Sequence, residues 1–301
     1  MRPAPSAGQW LVTGADGMLA RDLLTALDRA GQPYVALDRA GLDVRDRRAV
    51  RAAVAAHRPV VVVNTAAWTD VAAAEAHESQ ALHVNGAAPL HLASACGEFG
   101  ALLLHVSSDY VFAGDARTPY TEDAPPAPRT AYGRTKLEGE RAVLRLLPWT
   151  GYVIRTAWLY GEGGDNFVRT ITRLERQQRY IDVVEDQTGQ PTWTADAAAQ
   201  LLALGRAALR GAPPGVYHAT NTGECTRADL AREVLRLLGA DPTRIRPTRT
   251  PPVPPHRPPY SALAHTRWEA AGIPVLRPWP EALAEALPVL TRPEPAVPTP
   301  G

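Results

Sequence analysis

"WLVTGADGMLARDLLTALDRAG", residues 10 to 31, runs from a short apolar stretch through two glycines into an amphipathic segment. The apolar stretch 10 to 14 reads as a strand, and 18 to 31 reads as a helix closed by a C-terminal glycine. Gly14 permits a tight turn between them, Gly17 lets a ligand approach the backbone, and Ala20 is small enough for close helix packing. The first-turn N–H groups of such a helix have no intrahelical partner, so they can cradle a pyrophosphate. Gly14, Asp16, Gly17, Met18 and Leu19 are therefore candidate dinucleotide contacts.

The same alternation continues outward from this unit. "PYVALD" (33 to 38) reads as a strand, 46 to 58 as a helix, and "PVVVVNTAA" (59 to 67) as a continuous apolar run typical of a central parallel strand. A helix around 79 to 99 precedes the strand "ALLLHVSS" (101 to 108), and a helix starting near Tyr132 precedes "GYVIRTAWLYG" (151 to 161). Repeated strand–helix units predict an α/β protein with a Rossmann-type, doubly wound parallel sheet, built mainly from residues 1–160. The second half is less regular, with helices near 165 to 178, 194 to 210 and 226 to 239. It predicts a smaller, mixed C-terminal substrate domain, mainly 161–290, with some segments returning to the first domain. "PTRTPPVPPHRPP" (247 to 259) holds seven prolines in thirteen residues and is expected to be a rigid loop without a regular element. The first eight or nine residues and 291–301 are expected to be disordered tails.

The chain has 301 residues with 32 basic against 31 acidic side chains, so the basic surplus of a general nucleic-acid binder is missing. It has neither a signal-peptide-like start nor an 18-residue apolar stretch, and a soluble cytoplasmic protein with no membrane partner is expected. Cys96 and Cys225 stand far apart, and no metal-ligand spacing is visible.

Asp38 ends the second strand about 20 residues after the glycine turn, where a carboxylate can accept from an adenosine ribose 2′-OH. It can equally cap a turn. Arg39, next to it, can pair with a 2′-phosphate, so NADPH or NADH is expected, with no strong preference. Asp43 and Val44 would lie near the adenine, and Asn64, Ala66 and Ala67 against the cofactor.

"TAYGRTK" (130 to 136) contains the only lysine of the chain, all 31 other basic residues being arginine. Residues four apart on a helix share a face, so Tyr132 and Lys136 can point into one cleft. A phenol, with a pKa of about 10, is a poor acid-base group at neutral pH, and a neighbouring ammonium lowers that value. Lysine also offers a compact ammonium on a thin stem, suited to nicotinamide ribose hydroxyls, which arginine's planar fork does not replace. "HVSSDYVF" supplies a hydroxyl at a strand end. Ser108, or Ser107 less favourably, can stabilise an oxyanion formed from a substrate carbonyl.

These residues resemble the extended short-chain dehydrogenase/reductases, and within them the dTDP-4-dehydrorhamnose reductase branch. The resemblance covers nearly the whole chain, through "VTGADGMLA", "VNTAAWTDV", "VSSDYVFAG", "YGRTKLEGE", "RTAWLYGEGGDNFV", "DQTGQPT" and "HRPPYSAL". It implies hydride reduction of the C4 ketone of a dTDP-4-keto-6-deoxyhexose, with Tyr132, Lys136 and Ser108 as catalytic residues. It also implies a substrate side lined by Ser107, Asp109, Tyr110, Trp158, Asn166, Gln190, Thr192 and Arg257. Ala72 and Ala73 stand where the branch often has an acidic residue. The resemblance allows Mg2+ at a dimer contact and a monomer or homodimer, although no ligand cluster for a metal is visible in the sequence. A reductase of another dTDP-deoxysugar, or a non-catalytic nucleotide-binding subunit on the same fold, is the alternative.

Overall fold

The computed structural model describes residues 8–253 and 255–292. Each apolar run of the first half forms a strand and each amphipathic stretch a helix: β1 (Trp10–Thr13), α1 (Met18–Arg29), β2 (Tyr34–Leu37), α2 (Arg47–His57) and β3 (Val61–Asn64). Then come α3 (Val71–Ala76), α4 (Glu78–Leu82), a π-helical turn over His83–Ala87, α5 (Ala88–Phe99), β4 (Leu102–Ser108), α6 (Ala131–Leu146) and β5 (Gly151–Thr156). The second half adds β6 (Leu159–Tyr160), α7 (Phe167–Gln177), β7 (Ile181–Val184), β8 (Thr188–Gly189), β9 (Thr192–Trp193) and α8 (Thr194–Ala208). It closes with β10 (Gly215–His218), β11 (Cys225–Thr226), α9 (Arg227–Leu237), β12 (Ile245–Thr248) and α10 (Trp279–Leu290).

Six strands form one sheet in the order β2-β1-β3-β4-β5-β10. Every pairing in it is parallel. The chain crosses from β1 to β2 on one side and back to β3 on the other, which opens a crevice at the C-terminal ends of β1 and β3. Period-2 alternation sends side chains to both faces. Trp10, Val12, Val61, Val63, Leu104 and Ile154 pack under α1 and α8, while Leu11, Val62, Leu103 and Val153 pack under α2, α5 and α6. The helix α8 and strand β10 thus belong with the first half, although they lie late in the chain. A separate core gathers α7, β7, α9, β12 and α10 around Ile171, Ile181, Leu230, Val234, Ile245 and Leu283. No helix among the described residues is long and apolar enough to cross a membrane.

Several boundaries differ from the sequence reading. The helix expected over 79 to 99 is interrupted by the π turn, where buried Asn85 uses its amide to hold the loop at Trp68. The strand expected over 151 to 161 breaks at Trp158, whose φ is 46°. Pro247 and Thr248, expected in a loop, lie in β12, which among the described residues pairs only with β7; an edge position leaves the missing proline N–H without cost. Residues 1–7 and 293–301 of the expected tails lie outside the described residues. Gly8 and Gln9 are held, their carbonyls accepting from Gln32 Nε2 and Val60 N at 2.9 Å each. At the other end, Thr291 N donates to Leu287 O at 3.0 Å.

The contact of α8 with the sheet has little slack. A Cβ at Gly205 would come 2.2 Å from Trp10 Cη2. Gly205→Ala is expected to cost about 1–3 kcal/mol of stability by overpacking, read from urea denaturation, and an unchanged midpoint would contradict this close approach.

Candidate active site

The glycine turn is built for close approach. Gly14 has φ 71°, and a Cβ there would lie 2.7 Å from the Ala66 backbone, so only glycine lets the turn after β1 rest on the segment after β3. Gly17 caps α1 with extended geometry and no side-chain cap, which leaves the helix N-terminus to an anion. A cleft of about 910 Å3 opens here, at the C-terminal ends of β1, β3 and β4. Gly14, Asp16, Gly17, Met18 and Leu19 line it; so do Arg39, Asp43, Val44, Ala66 and Ala67.

The other wall carries Ser107, Ser108, Asp109, Tyr110, Tyr132 and Lys136, with Trp158 and Arg257. Thr130 caps α6, its hydroxyl accepting from Gly133 N at 3.0 Å. Gly133 brings the first turn of α6 onto the turn after β4, since a Cβ there would meet Tyr110 O at 2.1 Å. Tyr132 is thereby set beside Tyr110, ring edge to ring face, with centroids 5.5 Å apart. One turn on, Lys136 is buried and its Nζ donates to Val106 O at 2.6 Å. Burial pulls that ammonium down to about 8, against the raising effect of Glu140.

The protonation pattern corrects one expectation. Burial raises the Tyr132 phenol well above its ordinary value, opposed by the hydrogen bond of the Ser108 hydroxyl. Ser108 is itself committed, for its hydroxyl donates to Asp109 Oδ1 at 2.8 Å and accepts from Tyr110 N at 3.2 Å. Asp109 is 2% exposed, and burial pushes its carboxyl above the usual range. Ser107 lines the cleft, and its buried hydroxyl has no partner among the described residues.

Five expected contacts do not line the cleft. Asp38 Oδ1 accepts from Gly41 N at 2.7 Å, capping the turn after β2. Asn64 bridges strand ends, accepting from Thr13 Oγ1 at 2.8 Å and donating to His105 Nδ1 at 3.0 Å. Asn166 caps α7 and donates to Gly161 O and Gly164 O. Gln190 is buried, its Oε1 accepting from Thr220 Oγ1 and Leu263 N at 2.8 Å each. Thr192 is fully buried and donates to Gln190 O. Each makes at least one hydrogen bond within the scaffold. Conversely, Trp68, His83, Thr156 and Arg227 line the cleft without having been singled out in the sequence. The π turn accounts for His83, but no local sequence pattern marks Arg227. Among the described residues, no group of three or more His, Cys, Asp or Glu side chains could hold a metal, so the Mg2+ allowed by resemblance finds no ligand set.

The family model described as RmlD substrate binding domain matches residues 8–292. A dTDP-4-dehydrorhamnose reductase of Streptomyces griseus is 57% identical over 96% of this chain and 96% of its own. A dTDP-4-keto-6-deoxy-D-glucose reductase of Streptomyces niveus is 50% identical over 95% and 99%. A solved dTDP-4-dehydrorhamnose reductase from Bacillus anthracis, in complex with NADP, superposes with a TM-score of 0.88 at 32% identity, covering 94% of this chain and 99% of that one.

Because Lys136 is the only lysine, its titration can be read without assignment. Protein grown with 15Nζ-labelled lysine is expected to show one side-chain signal, charged below and neutral above a midpoint near 8. A midpoint near the ordinary 10.5 would contradict the burial of this ammonium.

Proposed function

This chain belongs to the RmlD substrate binding domain family, and on that premise we propose that it reduces the C4 ketone of dTDP-4-dehydro-β-L-rhamnose to give dTDP-β-L-rhamnose, using NADPH. The observation that carries this reading is the meeting of Tyr132, Ser108 and Lys136 on one wall of a cleft that ends in the glycine turn. A non-catalytic nucleotide sensor would have no use for that assembly.

The bound nicotinamide supplies a hydride. The residues that would hold the coenzyme are the α1 N-terminus with Gly14 and Gly17 for its pyrophosphate, and Lys136 for a ribose. The Gly14 turn and the uncapped Gly17 fit such a group. Tyr132 keeps its proton across the physiological range because burial disfavours the phenolate, and it gives that proton to the carbonyl oxygen as an alkoxide develops there. An alkoxide is the stronger base, so the transfer runs downhill. Ser108 has a single proton, which in the resting site goes to Asp109. Burial pushes the Asp109 carboxyl toward its neutral form, and in that form it donates to Ser108 and frees the serine proton for the oxyanion. Lys136 keeps a cation beside the phenol without occupying the proton path.

NADPH is preferred in this reading. Arg39 lines the cleft and can pair with a 2′-phosphate, whereas Asp38 does not line it and its Oδ1 accepts from Gly41 N. The sequence leaves NADH and NADPH both usable, and a preference of this kind is compatible with use of both. A related reading, reduction of another dTDP-4-keto-6-deoxyhexose, is favoured by the Streptomyces niveus relative and leaves the chemistry unchanged.

One assay tests both substrate and coenzyme. Incubated with dTDP-4-dehydro-β-L-rhamnose, the enzyme is expected to oxidise NADPH in step with a C4 alcohol seen by NMR. Arg39→Ala is expected to lower kcat/KM for NADPH by about 10-fold and leave NADH almost unaffected. No NADPH oxidation with any 4-keto sugar nucleotide would end the reading.

A further inference from the structure

Among the cationic side chains of the cleft, Arg227 is placed without an evident scaffold role. It is the first residue of α9, whose other arginines, Arg232 and Arg236, pair with Asp229 and Glu233. Arg227 makes no ion pair and no side-chain hydrogen bond among the described residues. Its guanidinium instead lies 3.6 Å from the centroid of Trp158 and 5.1 Å from that of Phe167. Stacking of this kind uses the faces of a guanidinium and leaves its N–H edges available for in-plane hydrogen bonds.

The neighbours make this placement costly without an anion. Arg257 also lines the cleft, its Nη1 within 3.4 Å of Tyr110 Oη. Burial pulls Arg227 down to about 10, and the like charge of Arg257 adds to that pull, so the group stays charged at neutral pH but poorly compensated. The groups that face it are Tyr110, Arg257, Asp109 and Cys225, and of these only Asp109 can carry a compensating negative charge at neutral pH. That carboxyl is pushed toward its neutral form by burial.

Trp158 gives a reason for the stack. Its φ of 46° is a left-handed conformation that a bulky residue adopts only when its surroundings fix it. A Cβ at Gly189 would come 2.6 Å from its Cε2, so bare backbone lies against the indole there. Gly189 and the guanidinium are too close to share one face, so the indole is clasped between them. Trp158 therefore has no free face for a nucleobase, and the group it presents to the cleft from that side is Arg227.

We propose that Arg227, stacked on Trp158, is with Arg257 the second cation of a site for the diphosphate of the nucleotide-sugar substrate, distinct from the glycine turn that takes the coenzyme pyrophosphate. Two guanidinium edges meet the two phosphates, and Trp158 holds one of them in plane. This rests on the substrate reading above, in which the sugar is carried on dTDP.

Calorimetric titration of dTDP into the NADPH-saturated enzyme tests it. Arg227→Met, which keeps an apolar contact with Trp158 but removes the charge, is expected to weaken dTDP binding by about 10-fold or more, with NADPH affinity unchanged. Arg227→Lys is expected to recover part of that loss. Unchanged dTDP affinity in Arg227→Met would overturn the proposal, as would an equal loss of NADPH binding, which marks a structural role. If the parent reduces the ketosugar while Arg227→Met binds dTDP normally, only this assignment falls. If the parent neither turns over the ketosugar nor binds dTDP, the proposed function falls and takes this site with it.

Discussion

The ammonium of Lys136, buried and donating to Val106 O at 2.6 Å, ties α6 to the central strand β4, and the geometry of the site follows from that contact. The glycines around it explain how a helix can come so close. Gly133 and Gly139 stand three residues on either side of Lys136, and a Cβ on either would strike a backbone carbonyl, at Tyr110 or at Asn85. The segment "YGRTKLEG" is thus a helix face stripped to backbone at both ends of one long cation. Further along, Glu140 forms a buried bidentate pair with Arg155 of β5 at 2.7 and 2.9 Å. Removing one partner of such a pair typically costs about 3–5 kcal/mol, so α6 is fixed to two strands in register. Tyr132 has its position because these contacts leave the helix no other.

Burial then decides which protons the site holds. Tyr132 and Asp109 are both pushed toward their neutral forms, Lys136 is pulled down, and His105 beneath it is held neutral with Asn64 donating to its Nδ1. A dry wall of this kind stores removable protons close to Ser108 and keeps fixed charge few. Arg39, Arg227 and Arg257 are among the arginines that line the cleft, where phosphate groups are proposed to sit.

Much of this was legible where the signal is local. The β-branched runs, the glycine turn and the Tyr-x-x-x-Lys spacing each state their geometry within a few residues, and the six-stranded sheet follows from their alternation. What escaped depends on partners far along the chain. Asn64, Gln190 and Thr192 look like ligand groups in their motifs, yet their hydrogen bonds go to His105, Leu263 and Thr220, or to the backbone beside them. Asp38 could serve a ribose or a turn, and its sequence position does not reveal that Gly41 N donates to one of its oxygens. Arg227 was invisible because arginine is the default cation here, so one more arginine carries no information. The lysine was conspicuous for the same reason. β10 and α10 were missed since glycine opens one and prolines punctuate the other.

The central claim is that the docking of α6 on β4 presents Tyr132 as the proton donor for carbonyl reduction. Steady-state kinetics of Tyr132→Phe, with NADPH affinity measured beside it, test this most directly. The account predicts kcat lower by about 100-fold or more, the scale of general acid catalysis, with coenzyme binding nearly unchanged. Turnover close to that of the parent would contradict it.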